Sequence, residues 1–364
     1  MNEFTHIGLD VHKDSIAVAV LQPGASECEE RVIPNTAEAV RKLMSRFADQ
    51  AALRTCYEAG PTGYETQRLL ASLGIACEVI APSLIPRRSG VRVKTDRIDA
   101  RNLARLHRAG ELVAIRIPSP TEEALRDLVR AREDLKSDRR IARQRIRSFL
   151  LRYGKRYPAP GARWSFRFEV WLRALRFAEP AAQAAFDHLV SAYSVRDAQL
   201  DAIDAQIEQA AAAEPLAADA ARLRAFRGID TLSAVTILTE TCDFRRFATA
   251  ASYMAFTGLV PAEHSSGASR HQGAITKAGN ARIRRVLVEA AWAYRHRPAV
   301  RGAHAKRLEG QPADLMAYSW AAQCRLHSTY RKLAARRNAN TAVVAVAREL
   351  SGFLWGAMTG RMGV

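Results

Sequence analysis

Short apolar runs of strand length alternate with helical apolar stripes over the first third of the chain. Residues 5–10 read as a strand ending in Asp10, 11–14 as a polar turn and 15–21 as a second strand, so the chain opens on a hairpin. The stretch 31–34 predicts a short third strand, confined to a sheet edge by Pro34. Val40, Leu43, Met44 and Phe47 recur at helical spacing over 37–48. A strand over 53–58 ends in Glu58. The turn 59–63 then leads into a helix over 64–73 that Gly74 closes. A further strand covers 75–80, and Pro82 and Pro86 break regular structure. Ala100, Leu103, Ala104 and Leu106 mark a helix that ends at Arg108, before Gly110.

This order predicts an α/β domain over about 1–115. Its first three strands are antiparallel and its later ones parallel, the layout of RNase H-like folds. After the linker 117–120, Leu125, Leu128, Val129, Leu135, Ile141, Ile146, Phe149 and Leu150 stripe one long helix, with Thr121 as its N-cap. Residues 181–213 are helical again. Two long helices around a polar break predict an antiparallel hairpin or coiled coil within 116–215, suited to dimerisation and to holding nucleic acid. The aromatic and arginine-rich run 163–177 reads either as a base-stacking surface or as a small helical core.

From about 216 to 364 the pattern is mainly helical. One helix stops at Gly228 and another starts at Thr231. This is either a helix-hairpin-helix-like DNA-binding element, whose backbone amides meet phosphate, or a structural hairpin. A helix over 247–256 leads to a loop of small and hydroxyl residues over 257–270. The segment 273–280 opens the next helix, and 341–358 forms a buried or amphipathic tail helix.

Charge narrows the function. The 364 residues carry 55 Lys and Arg against 37 Asp and Glu, a formal net charge of +18 that predicts a polyanionic partner, nucleic acid first. No apolar run reaches the roughly 18 residues of a membrane span, and 1–6 lacks a signal-peptide core, so a soluble cytoplasmic protein is expected. Five scattered cysteines without a C-x-x-C pair argue against zinc and a disulfide framework. One-sided charge on the long helix (Arg139, Arg143, Arg147) favours backbone contact over a merely solvated face.

The candidate chemistry lies in Asp96 and Asp99, three residues apart and so on one face of a helix, amid Arg87, Arg88, Arg92, Lys94, Arg97, Arg101 and Arg105. Asp96 is alternatively an N-cap and Asp99 a residue favoured by the helix dipole. Asp10 and Glu58 stand at strand ends, where ligands of such sheets gather. Together the four carboxylates suit one or two Mg²⁺ ions working on a phosphate backbone. Serine in a loop such as 257–270 is usually only a loop residue.

The motifs Ile7-Gly8-Leu9-Asp10-Val11-His12-Lys13, Tyr57-Glu58-Ala59-Gly60-Pro61-Thr62-Gly63 and Lys94-Thr95-Asp96-Arg97-Ile98-Asp99-Ala100 resemble the acidic quartet of a known family. Gly258-Leu259-Val260-Pro261, Ser265-Ser266-Gly267 and Ile275-Thr276-Lys277-Ala278-Gly279-Asn280 continue the match in order. The family is that of the DEDD insertion-sequence transposases guided by a bridge RNA, the IS110 family. The resemblance implies a RuvC-like domain (1–115), a coiled-coil middle (116–215) and a C-terminal transposase domain (216–364) bearing a catalytic serine. It implies metal ligands Asp10, Glu58, Asp96 and Asp99 holding Mg²⁺, and Ser266 as nucleophile with Ser265 beside it. The reaction implied is strand exchange between donor and target DNA through a phosphoserine, in a homo-oligomer (dimer or tetramer). Arg97, Arg139, Arg143, Arg147, Arg270, Lys277, Arg282 and Arg285 are the expected nucleic-acid contacts. The competing readings are a metal-dependent junction endonuclease that uses water, and a non-catalytic nucleic-acid-binding protein.

Overall fold

The computed structural model describes residues 4–86, 95–159, 164–263 and 271–363. The chain divides into two compact units, 1–118 and 119–364.

The first unit contains β1 (Thr5–Val11), β2 (Ser15–Leu21), β3 (Glu29–Pro34), α1 (Ala37–Met44), β4 (Leu53–Glu58), α2 (Glu65–Ser72), β5 (Ala76–Ile80) and α3 (Asp96–Arg108). Its strands form one sheet in the order β3-β2-β1-β4-β5. β1 pairs antiparallel with β2, and β2 with β3; β1–β4 and β4–β5 are parallel. The mixed sheet is the one the strand and helix pattern predicts. α1 stops at Met44, short of the predicted 48, yet Phe47 beyond it still packs on the core. The apolar stripe therefore outlasts the helix.

Alternation along β1 separates two faces. Ile7 and Leu9 enter a core with Val18, Val40, Leu43, Tyr57 and Leu70. Burying such side chains contributes roughly 1.5–3 kcal/mol each. Gly8 points the other way, against α3. A Cβ there would lie 2.1 Å from the Ala100 carbonyl oxygen and 2.6 Å from the Ala104 nitrogen, so only glycine lets the helix sit this close. His6, two residues earlier, meets His107 with their Nδ1 atoms 3.3 Å apart. α3 therefore runs against β1, and its N-terminus arrives at the strand's carboxyl end.

The second unit begins with α4 (Pro120–Arg152), α5 (Phe166–Ala174) and α6 (Pro180–Ala212). The N-cap of α4 is Ser119, not the expected Thr121. Ser119 accepts from the Glu122 amide, and the Glu122 carboxylate accepts from the Ser119 amide. Pro120, with no amide hydrogen to lose, fits the first turn. Arg132 pairs with Asp204, Arg139 with Asp197 and Arg143 with the Tyr193 hydroxyl, so α4 and α6 run antiparallel in constant register. At the far end of the hairpin, Phe149, Phe168, Leu172, Phe186 and Tyr193 form a separate core, with Trp164 and Trp171 packed against it. Most aromatics of the run thus line a small helical cap, while Phe166 is exposed at 80%.

The chain continues through α7 (Ala217–Arg224), α8 (Thr231–Thr241), α9 (Ala250–Thr257), β6 (Pro261–Glu263), β7 (Gln272–Ile275), α10 (Ala281–Ala291), α11 (Gly302–Leu308), α12 (Ala313–Ala334) and α13 (Ala339–Thr359). Val129, Leu200, Ile203 and Ile207 at the hairpin base share one core with Phe226, Ile237, Leu287 and Leu350. The turn at Gly228 is packed inside: a Cβ on Gly228 would stand 2.5 Å from the Ala290 carbonyl oxygen. Two features depart from the expected pattern. Residues 272–275 form a strand paired with β6, so that only the end of the segment, Asn280 as N-cap of α10, opens the next helix, and the helix expected from 247 begins only at Ala250, capped by Thr249. Among the described residues, no helix is long and apolar enough to cross a membrane.

Candidate active site

Asp10 is the last residue but one of β1, on the face that Gly8 turns toward α3. On β4, the Cys56 thiol donates to the Leu103 carbonyl of α3 at 3.6 Å, so Glu58, two residues on, belongs to the same face. β1 and β4 are parallel with Leu9 opposite Tyr57, which puts Asp10 and Glu58 at adjacent strand ends. The end of β4 is fixed by two hydrogen bonds. The Tyr57 hydroxyl donates to the Gly63 carbonyl (3.0 Å), and the Ala59 amide donates to Ile80 (2.8 Å).

The start of α3 completes the arrangement. Its N-cap is Thr95, whose hydroxyl accepts from the Ile98 amide at 3.4 Å. Asp96 is therefore not the cap. It is the first helical residue, exposed, and its carboxylate is left for other partners. His12 stands between the two acidic elements. Its Nε2 is 3.2 Å from Asp10 Oδ2 and 3.5 Å from Asp96 Oδ1. Donor atoms of Asp10, His12 and Asp96 all lie within 4.8 Å of one another; Glu58 and Asp99 stand outside this cluster of three.

Electrostatics agree with a site for a cation. Burial pushes the Asp10 carboxyl above its ordinary value. His12 opposes this, while the charges of Asp96 and Asp99 add to it. A half-buried carboxylate held near two others carries surplus negative charge that a divalent ion would neutralise. Oxygen donors from Asp10 and Asp96 suit such an ion.

Sequence patterning overlooked His12, although it lies within the Asp10 motif. The only signal available was its spacing, two residues beyond the strand-end aspartate. Glu240 was also overlooked. Its side chain is 2% exposed on α8, where Arg130 makes two hydrogen bonds to it and Asn280, the N-cap of α10, donates to it at 2.7 Å. Burial alone would raise its pKa, but the bonds from Arg130 and Asn280 outweigh burial and hold it below the usual value. A single acid in an apolar helix was the available signal. This clamp fixes the segment 276–280 that follows β7. Backbone bonds from Thr276, Lys277 and Asn280 to Val260, Gly258 and Phe256 join that segment to the end of α9. Gly279 (φ 105°) is required there, because a Cβ would meet the Phe256 carbonyl oxygen at 2.1 Å.

The expected nucleic-acid contacts divide. Arg97, Arg147 and Lys277 are exposed. Arg139 and Arg143 bond to α6, Arg282 stands 3.9 Å from Glu240, and Arg285 pairs with Glu133 at 2.7 Å and Glu289 at 3.1 Å. Ser265, Ser266 and Arg270 lie outside the described residues, as do Arg87, Arg88, Arg92, Lys94 and Arg163.

A five-stranded mixed sheet of this order, with Asp10 and Glu58 at the ends of adjacent central strands, is consistent with an RNase H-like, RuvC-like domain. Comparison with known proteins makes this specific. Residues 7–155 match the DEDD IS110 transposase model, and 220–305 match the model described as transposase, IS116/IS110/IS902 family. The chain is 41% identical to a putative transposase, y4qE, of Sinorhizobium fredii, over 96% of this chain and 87% of the relative. It is 32% identical to the transposase for insertion sequence element IS1533 of Leptospira borgpetersenii, over 93% and 99%. The chain belongs to the IS110 family of insertion-sequence transposases, enzymes that recombine DNA.

Proposed function

We propose that this transposase exchanges DNA strands through a covalent phosphoserine intermediate at Ser266, with Mg²⁺ held by Asp10, Glu58, Asp96 and Asp99, and that a bridge RNA selects donor and target DNA by base pairing. The observation that carries the metal reading is the Asp10–His12–Asp96 cluster at the junction of β1 and α3. Bound there, a divalent ion would polarise a phosphate and neutralise charge developing on it.

The serine hydroxyl attacks a DNA phosphorus. The Oγ–P bond forms, the bond to one DNA oxygen breaks, and that oxygen leaves with a proton. Attack by a hydroxyl of the other strand reverses the step and frees the serine. No phosphodiester energy is lost in this exchange. A serine hydroxyl is weakly nucleophilic at neutral pH and needs such activation.

We assign 1–115, 116–215 and 216–364 the roles of RuvC-like, coiled-coil and transposase domains. The long α4–α6 hairpin supports a dimerisation and nucleic-acid-holding role for the middle region. The serine and the acids belong to different units of the chain, which supports a composite site assembled between subunits of a dimer or tetramer. Exposed Arg97 and Lys277 are the direct phosphate contacts among the described candidates, and Arg147, whose guanidinium lies 5.9 Å from the Trp164 ring centroid, adds its charge to the nucleic-acid surface. Paired Arg139, Arg143, Arg282 and Arg285 position the elements that carry them.

Trapping of protein–DNA adducts tests the serine. Ser266→Ala abolishes the adduct and Ser265→Ala retains it. The opposite result moves the nucleophile to Ser265. DNA cleavage by the double variant, with no adduct at any time, replaces this reading with a nuclease that uses water.

A further inference from the structure

We infer that His12 is itself a metal ligand: its Nε2, with carboxylate oxygens of Asp10 and Asp96, forms a mixed nitrogen–oxygen site that holds Mn²⁺ more tightly than Mg²⁺. The inference rests on the metal-site reading above and extends it to a residue outside the acidic quartet.

The geometry is the first support. Neighbouring donors around a six-coordinate ion with bonds of about 2.1 Å stand about 3 Å apart. His12 Nε2 is 3.2 Å from Asp10 Oδ2 and 3.5 Å from Asp96 Oδ1, close to that separation on both sides. The same nitrogen faces both acids, and the three donor atoms lie within 4.8 Å of one another.

The backbone is the second support, because it holds His12 in place before any ion arrives. The His12 amide donates to the Ser15 carbonyl at 2.9 Å, closing the β1–β2 turn. The Asn35 side-chain amide donates to the His12 carbonyl at 2.8 Å, and the Asn35 backbone amide donates to Asp14 at 3.1 Å. Asn35 follows β3, so the turn is tied across the sheet edge. Asp10 is fixed in β1, and Asp96 by the Thr95 cap of α3. Each ligand thus comes from a separately anchored backbone. The imidazole is half exposed, its side chain 50% accessible, so an ion and its waters can reach it.

The donor chemistry then sets the preference. Mg²⁺ favours oxygen donors and dehydrates reluctantly. Imidazole nitrogen favours first-row transition ions, of which Mn²⁺ also accepts carboxylate oxygens readily. One nitrogen among oxygens leaves Mg²⁺ binding little changed and strengthens Mn²⁺ binding.

The test uses the full-length protein without nucleic acid. Mn²⁺ binding is followed by loss of the free-ion electron paramagnetic resonance signal, and Mg²⁺ by competition. The wild type is expected to bind Mn²⁺ at least about tenfold more tightly than Mg²⁺. His12→Ala is expected to weaken Mn²⁺ binding about tenfold and to change Mg²⁺ binding less than about twofold. Protein carrying ¹⁵N-histidine should show a nitrogen coupling to bound Mn²⁺ that is absent in His12→Ala. Mn²⁺ bound without that coupling, or bound equally by His12→Ala, overturns the role of His12 and leaves the acidic site standing. Absence of Mn²⁺ and Mg²⁺ binding in the wild type overturns both this inference and the metal-site reading.

Discussion

Asp10 shows what a metal site costs the fold that carries it. Burial first, then Asp96 and Asp99, raise its pKa against the opposing pull of His12. Between the ordinary value of 3.8 and the raised one, the folded chain binds more protons here than the unfolded chain does. The stability contributed at this position therefore falls as pH rises through that window, and it stays reduced at neutral pH. Asp10→Asn removes the charge. In chelator at pH 7 the variant should melt above the wild type, and the difference should vanish as pH falls below the ordinary carboxyl range. Divalent ions should raise the wild-type Tm and leave the variant unmoved. Thermal melts across pH check this, and a lower Tm for the variant at pH 7 would contradict it. Asp10 was legible as a strand end, and Asp96 and Asp99 as residues of a helix start. His12 was not, because its significance depends on where α3 begins, and no local pattern encodes that approach. Asp96 was legible but ambiguous until Thr95 proved to be the cap that leaves its carboxylate available.

At the scale of elements, the α4–α6 hairpin separates arginines that look alike in sequence. Arg139 donates to Asp197 at 2.7 Å, and Arg143 bonds to Tyr193, so these brace the two helices. Arg145 and Arg152 are exposed and line a shallow groove with Gln144 and Ser148 between the same helices. Helical periodicity gave the apolar stripe of α4 correctly. It could not say which cations the partner helix would claim, since that depends on Asp197 and Asp204 more than fifty residues later. Arg145→Ala and Arg152→Ala should each lower the slope of log K against log salt for nucleic-acid binding by about 1. Arg139→Ala should leave the slope unchanged and cost up to about 1 kcal/mol of stability. Salt titrations read the first and denaturant melts the second. An unchanged slope in all three variants would remove the hairpin from the nucleic-acid surface.

On the scale of the whole molecule, the mixed sheet, antiparallel first and parallel later, was legible because each strand is a short apolar run bounded by turn residues, and because parallel strands need an intervening helix. The β6–β7 pair escaped notice: strands of three and four residues, rich in exposed small side chains, leave no periodic signature. That hairpin flanks the serine motif, so the least legible element of the fold borders the residue proposed to do the chemistry. The composite site proposed above has acids from one subunit serving a serine from another. Mixing differently tagged Asp10→Asn and Ser266→Ala proteins with DNA and guide RNA tests it most directly. Each protein alone should form no adduct, and the mixture should form one on the Asp10→Asn protein only. An adduct on the Ser266→Ala protein, or none in a mixture whose wild-type counterpart forms one, would contradict the claim.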